Sequence, residues 1–520
     1  MPFDNLRGLL EARARRHPDH EYAHFPDTGD TLTLGRLLGN ALRLARFLAE
    51  RGVVRGERVA YLLPNGLQSV QLFIGIQAAG AIAVPLSLLA QPRQLAFIFE
   101  HARVRVVFAG LEQVETLNAA RELAHRPPSL IPLDPDSPAQ WERQEETGHT
   151  REAWPWPTPH SEDDSLLMYT SGTTGHPKGV RLTHGNLIAG ARYVSEAHEL
   201  GADDRVLAIL PLYHINAQVV TVLAPLWHGG SLVMPRRFSA SAFWKQAAEG
   251  ACTWLNVVPT IVAYLLAGSD DEHHISPGEK QPTSLRFCRS ASAPLPPDHQ
   301  RAFEYRFGIG IIETLGLTET AAPCLTNPLD PPLRRIGSPG KPFGNEARIA
   351  APDTDIPLTD GAIGEIQIRG ANVTPGYHNA PLETWKAFTR DGWLRTGDLG
   401  YRDKDGYYHV TGRIKELIIK GGENISPREI DEALLRHPAV LEAAAVGVPD
   451  PNYGQEIEAA VVLCAGTQCT EAHLINFCRD QLGGFKTPAR IHQVTALPKG
   501  PSGKVQRLKL LAYPEVMSRF

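Results

Sequence analysis

The chain has 520 residues, 42% of them hydrophobic and 21% charged, with a formal net charge of −5 at pH 7. That length exceeds one compact core and predicts about two to four domains or subdomains. The composition is that of a soluble globular protein, and the acidic balance argues against a nucleic-acid surface.

The opening stretch "MPFDNLRGLLEARARRHPDH" carries charge throughout and lacks an apolar core, which argues against a secretory signal. Leu6, Leu9, Leu10 and Ala14 recur at helical spacing and predict an amphipathic helix. The apolar run "SVQLFIGIQAAGAIAVPLSLLA" is broken by Gln71, Gln77 and Pro85, so it reads as a buried helix entering a buried strand, not as a membrane span. The runs "RVAYLL", "AIAVPL", "VRVVFAG", "DRVLAIL", "GSLVMP", "TWLNVVP" and "LRFCRSAS" predict buried strands. Helical patterns such as "LQSVQLFIGIQAAG", "SASAFWKQAAEG" and "PPDHQRAFEYRFG" lie between several of them. This alternation predicts an α/β fold with parallel-rich sheets. The Pro- and acid-rich stretch 126–164 reads as a long surface excursion.

From about residue 336 the pattern changes to short strands with Asp-Gly turns at 360–361, 391–392 and 405–406, predicting a small β subdomain. Ser426 and Pro427 then suit the N-cap and first position of a new helix. The expected organisation is a large N-terminal region over 1–413, with the β subdomain at about 336–413, followed by a small mobile α+β domain over 414–520. The six cysteines (Cys252, Cys288, Cys324, Cys464, Cys469 and Cys478) show no CxxC spacing. They fit reduced thiols in a cytoplasmic protein better than a disulfide frame or a zinc site.

One stretch asks for a ligand. "YTSGTTGHPKG", residues 169–179, offers backbone N–H groups at three glycines, the hydroxyls of Thr170, Ser171, Thr173 and Thr174, and the cation of Lys178. Those are the parts of a polyphosphate cradle, although the glycine spacing is not that of GxxxxGK[ST].

Together with "PLYH" (211–214), "LGLTET" (315–320), "TGDLG" (396–400), "GRIKELIIKGGENISPREID" (412–431) and "PKGPSGKVQR" (498–507), that loop resembles the adenylate-forming superfamily. This group includes acyl-CoA synthetases, peptide-synthetase adenylation domains and luciferases. The motifs follow the family's order and span roughly residues 20 to 510. The resemblance implies that Thr170, Ser171, Gly172, Thr173, Thr174 and Lys178 hold the ATP phosphates. It implies that Glu313, Thr314, Leu315, Asp398 and Arg413 bind the nucleoside, with Asp398 on the ribose hydroxyls. Leu315 stands where the family usually has an adenine-stacking aromatic. Thr318 would meet the α-phosphate, Glu319 would ligate Mg²⁺, and His214 would sit beside the substrate carboxylate. Lys504 would enter from the small domain to bridge that carboxylate and the α-phosphate.

By the same resemblance, Lys415 is the hinge, Gly421 and Gly422 line a coenzyme A tunnel, and Asn216, Val258, Ala291, Ser292 and Gly316 line the acid pocket. The implied reaction is ATP-dependent acid–CoA ligation through an acyl-adenylate. Its substrates would be a small-molecule carboxylic acid, ATP and coenzyme A, and a carrier-protein pantetheine is the alternative acceptor. "FSASAFW", "RSASA" and "GANVTPGYHN" resemble the oxalyl-CoA synthetase branch, but Asn216 replaces that branch's second histidine, which argues against a small dicarboxylate. The wall segments hold no Lys or Arg, with only Arg289 bordering one, so a neutral-tailed fatty or aryl acid is expected.

Overall fold

The computed structural model describes residues 3–142, 153–170, 177–268, 284–352, 354–500 and 505–512. Ser171, Gly172, Thr173, Thr174 and Lys504 lie outside the described residues. Within them, no helix is long and apolar enough to cross a membrane.

The apolar runs form strands because both of their faces are covered, as in parallel sheets flanked by helices. Ile82–Pro85, Arg58–Leu62, Val104–Gly110 and Ser129–Leu133 run parallel in one seven-stranded sheet. The antiparallel hairpin Asp164–Thr170/Lys178–Thr183 extends its other side. The helix Leu67–Ala79 is buried along its whole length, and its polar Gln68, Gln71 and Gln77 are accommodated there by hydrogen bonds to Glu142, the Phe73 carbonyl and Ser165. The first helix, Leu6–Arg16, buries Leu6, Leu9, Leu10 and Ala14 as its spacing predicts.

A second, nine-stranded sheet sets the site. Its adjacent strands Ile311–Leu317, Phe287–Ser290, Trp254–Val257 and Arg205–Leu207 are parallel. Ligands of open α/β sheets bind beyond the carboxyl ends of such strands. Gly316 lies near the end of the first of these strands, and the segments leaving the other three contain Ala291–Ser292, Val258 and His214–Asn216, so side chains distant in sequence become neighbours.

The β-rich region is an antiparallel sheet of Glu346–Ala350, Gly364–Arg369, Leu394–Arg402 and Tyr408–Arg413. Its Asp-Gly turns need the left-handed backbone at Gly361, Gly392 and Gly406, where φ is +84°, +83° and +85°. After Ile414–Glu416, a five-stranded sheet built on the hairpin Val440–Asp450/Gly454–Leu463 carries the helices Pro427–Leu435 and Glu471–Leu482.

Two local expectations are corrected. The stretch 126–164 is not all surface excursion: Ser129–Leu133 pairs with Val104–Gly110, and Trp141 is buried against Phe47 and Phe108. Its prolines and acids fall around the buried positions and mask them in a composition count. Ser426 occupies the N-cap position, but its hydroxyl donates to the Thr411 carbonyl and makes no helix-capping bond. It joins the small domain's first helix to the β sheet instead.

Candidate active site

The pocket walls converge as the strand order requires. Asn216 opens a π-helical segment, Asn216–Leu223, and its Nδ2 donates to Ser292 Oγ at 3.2 Å. Such wide helical turns occur frequently at functional sites. Ser292 holds φ at +74°, a left-handed conformation unusual for a residue with a Cβ, in the turn after Phe287–Ser290. His214 sits two residues before Asn216, its ring 4.6 Å from that of Tyr213 and its N–H bonded to the Pro211 carbonyl at 3.1 Å.

Behind Asn216 lies a side chain that the sequence places only at the border of the wall. Arg289 is 2% exposed, and its Nη1 donates to Asn216 Oδ1 at 2.8 Å and Asn256 Oδ1 at 2.7 Å. Its Nε is buried without a hydrogen-bond partner, and no carboxylate pairs with it among the described residues. Burial pulls the guanidinium down to about 9. The wall segments themselves hold no cation, as expected, but Arg289 stands directly behind Asn216. Arg289 and Asn256 are register partners in adjacent parallel strands, so both side chains leave the same face toward Asn216.

A neighbouring cavity is lined by Ser292, Glu313, Thr314, Leu315, Gly316, Asp398 and Arg413 from the large region. Arg428, Glu432 and Arg507 close it from the small domain. Asp398 is buried, and Arg413 faces it across the antiparallel pair, with Nε 2.5 Å from Asp398 Oδ1. The Asp398 charge raises the Arg413 pKa. Glu313 accepts from the Leu295 N–H at 3.1 Å, while its second oxygen is buried without a partner. Burial pushes this carboxyl up to about 7. Thr314 Oγ1 is likewise buried and unpartnered, so two polar atoms of one cavity lack protein partners. Leu315 supplies an apolar surface there in place of an aromatic ring.

The ends of the glycine loop are register partners: Thr170 closes one strand opposite Lys178, which opens the next. Lys178 Nζ lies 5.2 Å from the centroid of the Tyr377 ring, and the Tyr377 hydroxyl donates to Glu319 Oε1 at 2.9 Å. Burial first, and then the Glu319 charge, raise the Tyr377 pKa, which keeps it a donor. Thr318 and Glu319 belong to the short 3-10 turn Thr318–Thr320, whose entry is fixed by the Leu317 N–H on Thr320 Oγ1 at 2.9 Å. The half-buried Glu319 is a hard oxygen donor beside the lysine end of the loop, a set that fits Mg²⁺. The sequence motifs do not single out Tyr377, Arg289 or Asn256 as site residues. Tyr377 lies within "GANVTPGYHN", a segment whose pattern carries no indication of the ring's neighbours.

Gly421 and Gly422 form the turn of the hairpin Ile418–Lys420/Glu423–Ile425, with φ of +57° and +85°, and do not line the cavity. Lys415 is exposed in the 3-10 turn Ile414–Glu416, between the two sheets. Leu497, Val505 and Arg507, on either side of the segment that holds Lys504, do line the cavity.

Residues 10–378 match the AMP-binding enzyme family, and residues 429–504 match the AMP-binding enzyme C-terminal domain. The chain belongs to the AMP-binding enzyme family. This AMP-binding enzyme is 54% identical to the sulfoacetate–CoA ligase of Cupriavidus necator, over 98% of each chain. It is 36% identical to the oxalate–CoA ligase of Arabidopsis thaliana, again over 98% of each. Its fold superposes on ATP-bound MatB from Rhodopseudomonas palustris with a TM-score of 0.87 and 29% identity, covering 97% of this chain and 98% of that one. The expected family, the α/β fold and the acid–CoA ligase class stand together on these likenesses.

Proposed function

We propose that this AMP-binding enzyme is an AMP-forming acid–CoA ligase whose acid is short and bears a second anionic group. The observation behind the acid's identity is Arg289, a buried cation with no carboxylate partner among the described residues, hydrogen-bonded to Asn216 on the pocket wall. A buried, unpaired charge is expensive, and an anion arriving with the substrate offsets that cost. Asn216 bonded across to Ser292 narrows the same wall, which favours a short acid over an extended tail. Relatives named for sulfoacetate and oxalate support this reading, and sulfoacetate is the favoured substrate.

In the first half-reaction a carboxylate oxygen attacks the α-phosphorus of ATP, giving an acyl-adenylate and pyrophosphate. In the second, the coenzyme A thiolate attacks the acyl carbonyl and AMP leaves. Asp398, held by Arg413, accepts from the ribose hydroxyls, and Glu313 and Thr314 offer their unpartnered polar atoms to the base. Thr170, Ser171, Gly172, Thr173, Thr174 and Lys178 hold the phosphates, with Thr318 at the α-phosphate. Mg²⁺, held through Glu319, would neutralise phosphate charge. Lys504 brings a cation between two mutually repelling anions, a stabilisation needed chiefly in the transition state. We assign residues 1–413 to the large region and 414–520 to the mobile domain that delivers this lysine, with Gly421 and Gly422 meeting coenzyme A after the domain swings.

The test is AMP release across a panel of carboxylic acids, with free coenzyme A or with a pantetheine-loaded carrier protein. Short two-anion acids with free coenzyme A should give the highest turnover. Lys504→Ala should abolish pyrophosphate release yet still convert preformed acyl-adenylate to thioester. Turnover only with the carrier protein, or only with long uncharged acids, contradicts the proposal.

A further inference from the structure

The small domain holds a second cluster of chemically capable side chains, away from the nucleotide cavity. His437 lies just past the helix Pro427–Leu435, Cys469 just before the helix Glu471–Leu482, and His473 in the first turn of that helix. His437 Nε2 is 3.9 Å from Cys469 Sγ, and His473 Nδ1 is 3.7 Å from the same sulfur. One ligand atom from each of the three residues lies within 4.8 Å of the others.

We propose that His437, Cys469 and His473 form a zinc-binding site. Tetrahedral zinc with Zn–S and Zn–N bonds of ordinary length separates sulfur from nitrogen by about 3.5 Å. Both observed separations are within a few tenths of an ångström of that value, so small side-chain shifts admit the ion. One thiolate and two imidazoles form a borderline-soft donor set that suits zinc and discriminates against Mg²⁺ and Ca²⁺. The cysteine spacing gives no hint of this, because two of the three ligands are histidines and His437 lies 32 residues before Cys469 in the chain.

The surroundings hold the ligands in place. The His437 ring packs edge-on against Phe477, with centroids 5.0 Å apart. Thr470 caps the second helix by accepting from the His473 N–H at 3.3 Å, and the Cys469 carbonyl accepts from Gln493 Nε2. His437 is buried, Cys469 half-buried and His473 exposed, which leaves an entry path and a fourth position open to solvent. In the metal-free ring, His437 Nδ1 accepts from the Ala439 N–H at 3.2 Å. Binding through Nε2 moves the ring proton to Nδ1, so this long hydrogen bond is exchanged for a metal–nitrogen bond. The bound ion then ties the end of one helix to the start of the other, stiffening the small domain independently of the acid, ATP or coenzyme A.

The experiment uses untagged full-length protein, stripped with a chelator and dialysed. It is titrated with Zn²⁺ against a chromophoric competitor, and in parallel with Co²⁺. One Zn²⁺ equivalent should bind, the Co²⁺ form should show a thiolate-to-cobalt charge-transfer band, and Zn²⁺ should raise the melting temperature. Cys469→Ser and His473→Ala, at incompletely buried positions, should each weaken Zn²⁺ binding at least tenfold and remove the thermal shift. Cys464→Ser should change neither. Absence of stoichiometric binding, or binding that survives both Cys469→Ser and His473→Ala, overturns the proposal.

Discussion

The Tyr377 hydroxyl donates to Glu319 Oε1 at 2.9 Å, joining a two-residue strand to the short turn that follows Ile311–Leu317. The same ring stands 5.2 Å from Lys178 Nζ. One aromatic side chain therefore sets the distance between the proposed metal-holding carboxylate and the proposed phosphate-holding cation. Tyr377→Phe keeps the ring and removes only the donor. It should lower the rate of pyrophosphate release about tenfold and raise the Mg²⁺ concentration needed for half-maximal rate. An unchanged Mg²⁺ dependence would show that the hydroxyl does not position Glu319.

Glu313 predicts a pH dependence of stability. Burial raises its folded-state pKa from the ordinary 4.5 to about 7. Its contribution is complete below about pH 4.5, where folded and unfolded states are both protonated. As pH rises toward 7 the unfolded chain releases the proton more readily, and that stability is lost. Glu313→Gln removes the titration. In nucleotide-free protein it should be more stable than the unsubstituted chain at pH 8, by roughly 2–3 kcal/mol, with little difference near pH 4.5. Urea unfolding at both pH values measures this, and a difference independent of pH would rule out Glu313 as its source.

The joint between domains predicts a separation of half-reactions. Lys415 lies in the short turn Ile414–Glu416, directly after Arg413 in an extended conformation. Proline at 415 fixes its own φ and restricts Ile414, whereas alanine leaves both free. Lys415→Pro should retain pyrophosphate release within about tenfold and lose thioester formation by orders of magnitude, as expected of a blocked domain swing. Lys415→Ala should be mild in both assays. Equal behaviour of the two variants places the hinge elsewhere.

The sequence shows the order of strands and helices clearly, because buried parallel strands are continuous apolar runs and the helix Leu67–Ala79 is largely apolar on every face and buried throughout. The adenylate-forming motifs identify candidate residues such as Asp398 and Arg413 by their own order. Cross-chain contacts are another matter. Trp141 is buried through packing on Phe47 and Phe108, which no local composition reveals. Tyr377 meets Glu319 only because Gly376–Tyr377 pairs with Lys178–Thr183, a register fixed by tertiary structure. Arg289 borders the wall in the sequence, yet its side chain reaches Asn216 because the parallel register sets it beside Asn256.

Arg289 also provides the most direct measurement of the central claim. Methionine at this position preserves much of the side-chain volume and removes the buried charge, together with its hydrogen bonds to Asn216 and Asn256, so urea unfolding accompanies the assay to establish that the variant is folded. The decisive quantity is kcat/KM for AMP release with a short two-anion acid, divided by that for an uncharged acid of the same length. The unsubstituted enzyme should favour the two-anion acid by about 100-fold or more, the scale set by a site built to pair a buried polar group. Arg289→Met should reduce that ratio to near unity, mainly by losing activity on the two-anion acid. A ratio unchanged by Arg289→Met, or an unsubstituted enzyme that prefers the uncharged acid, would contradict the account.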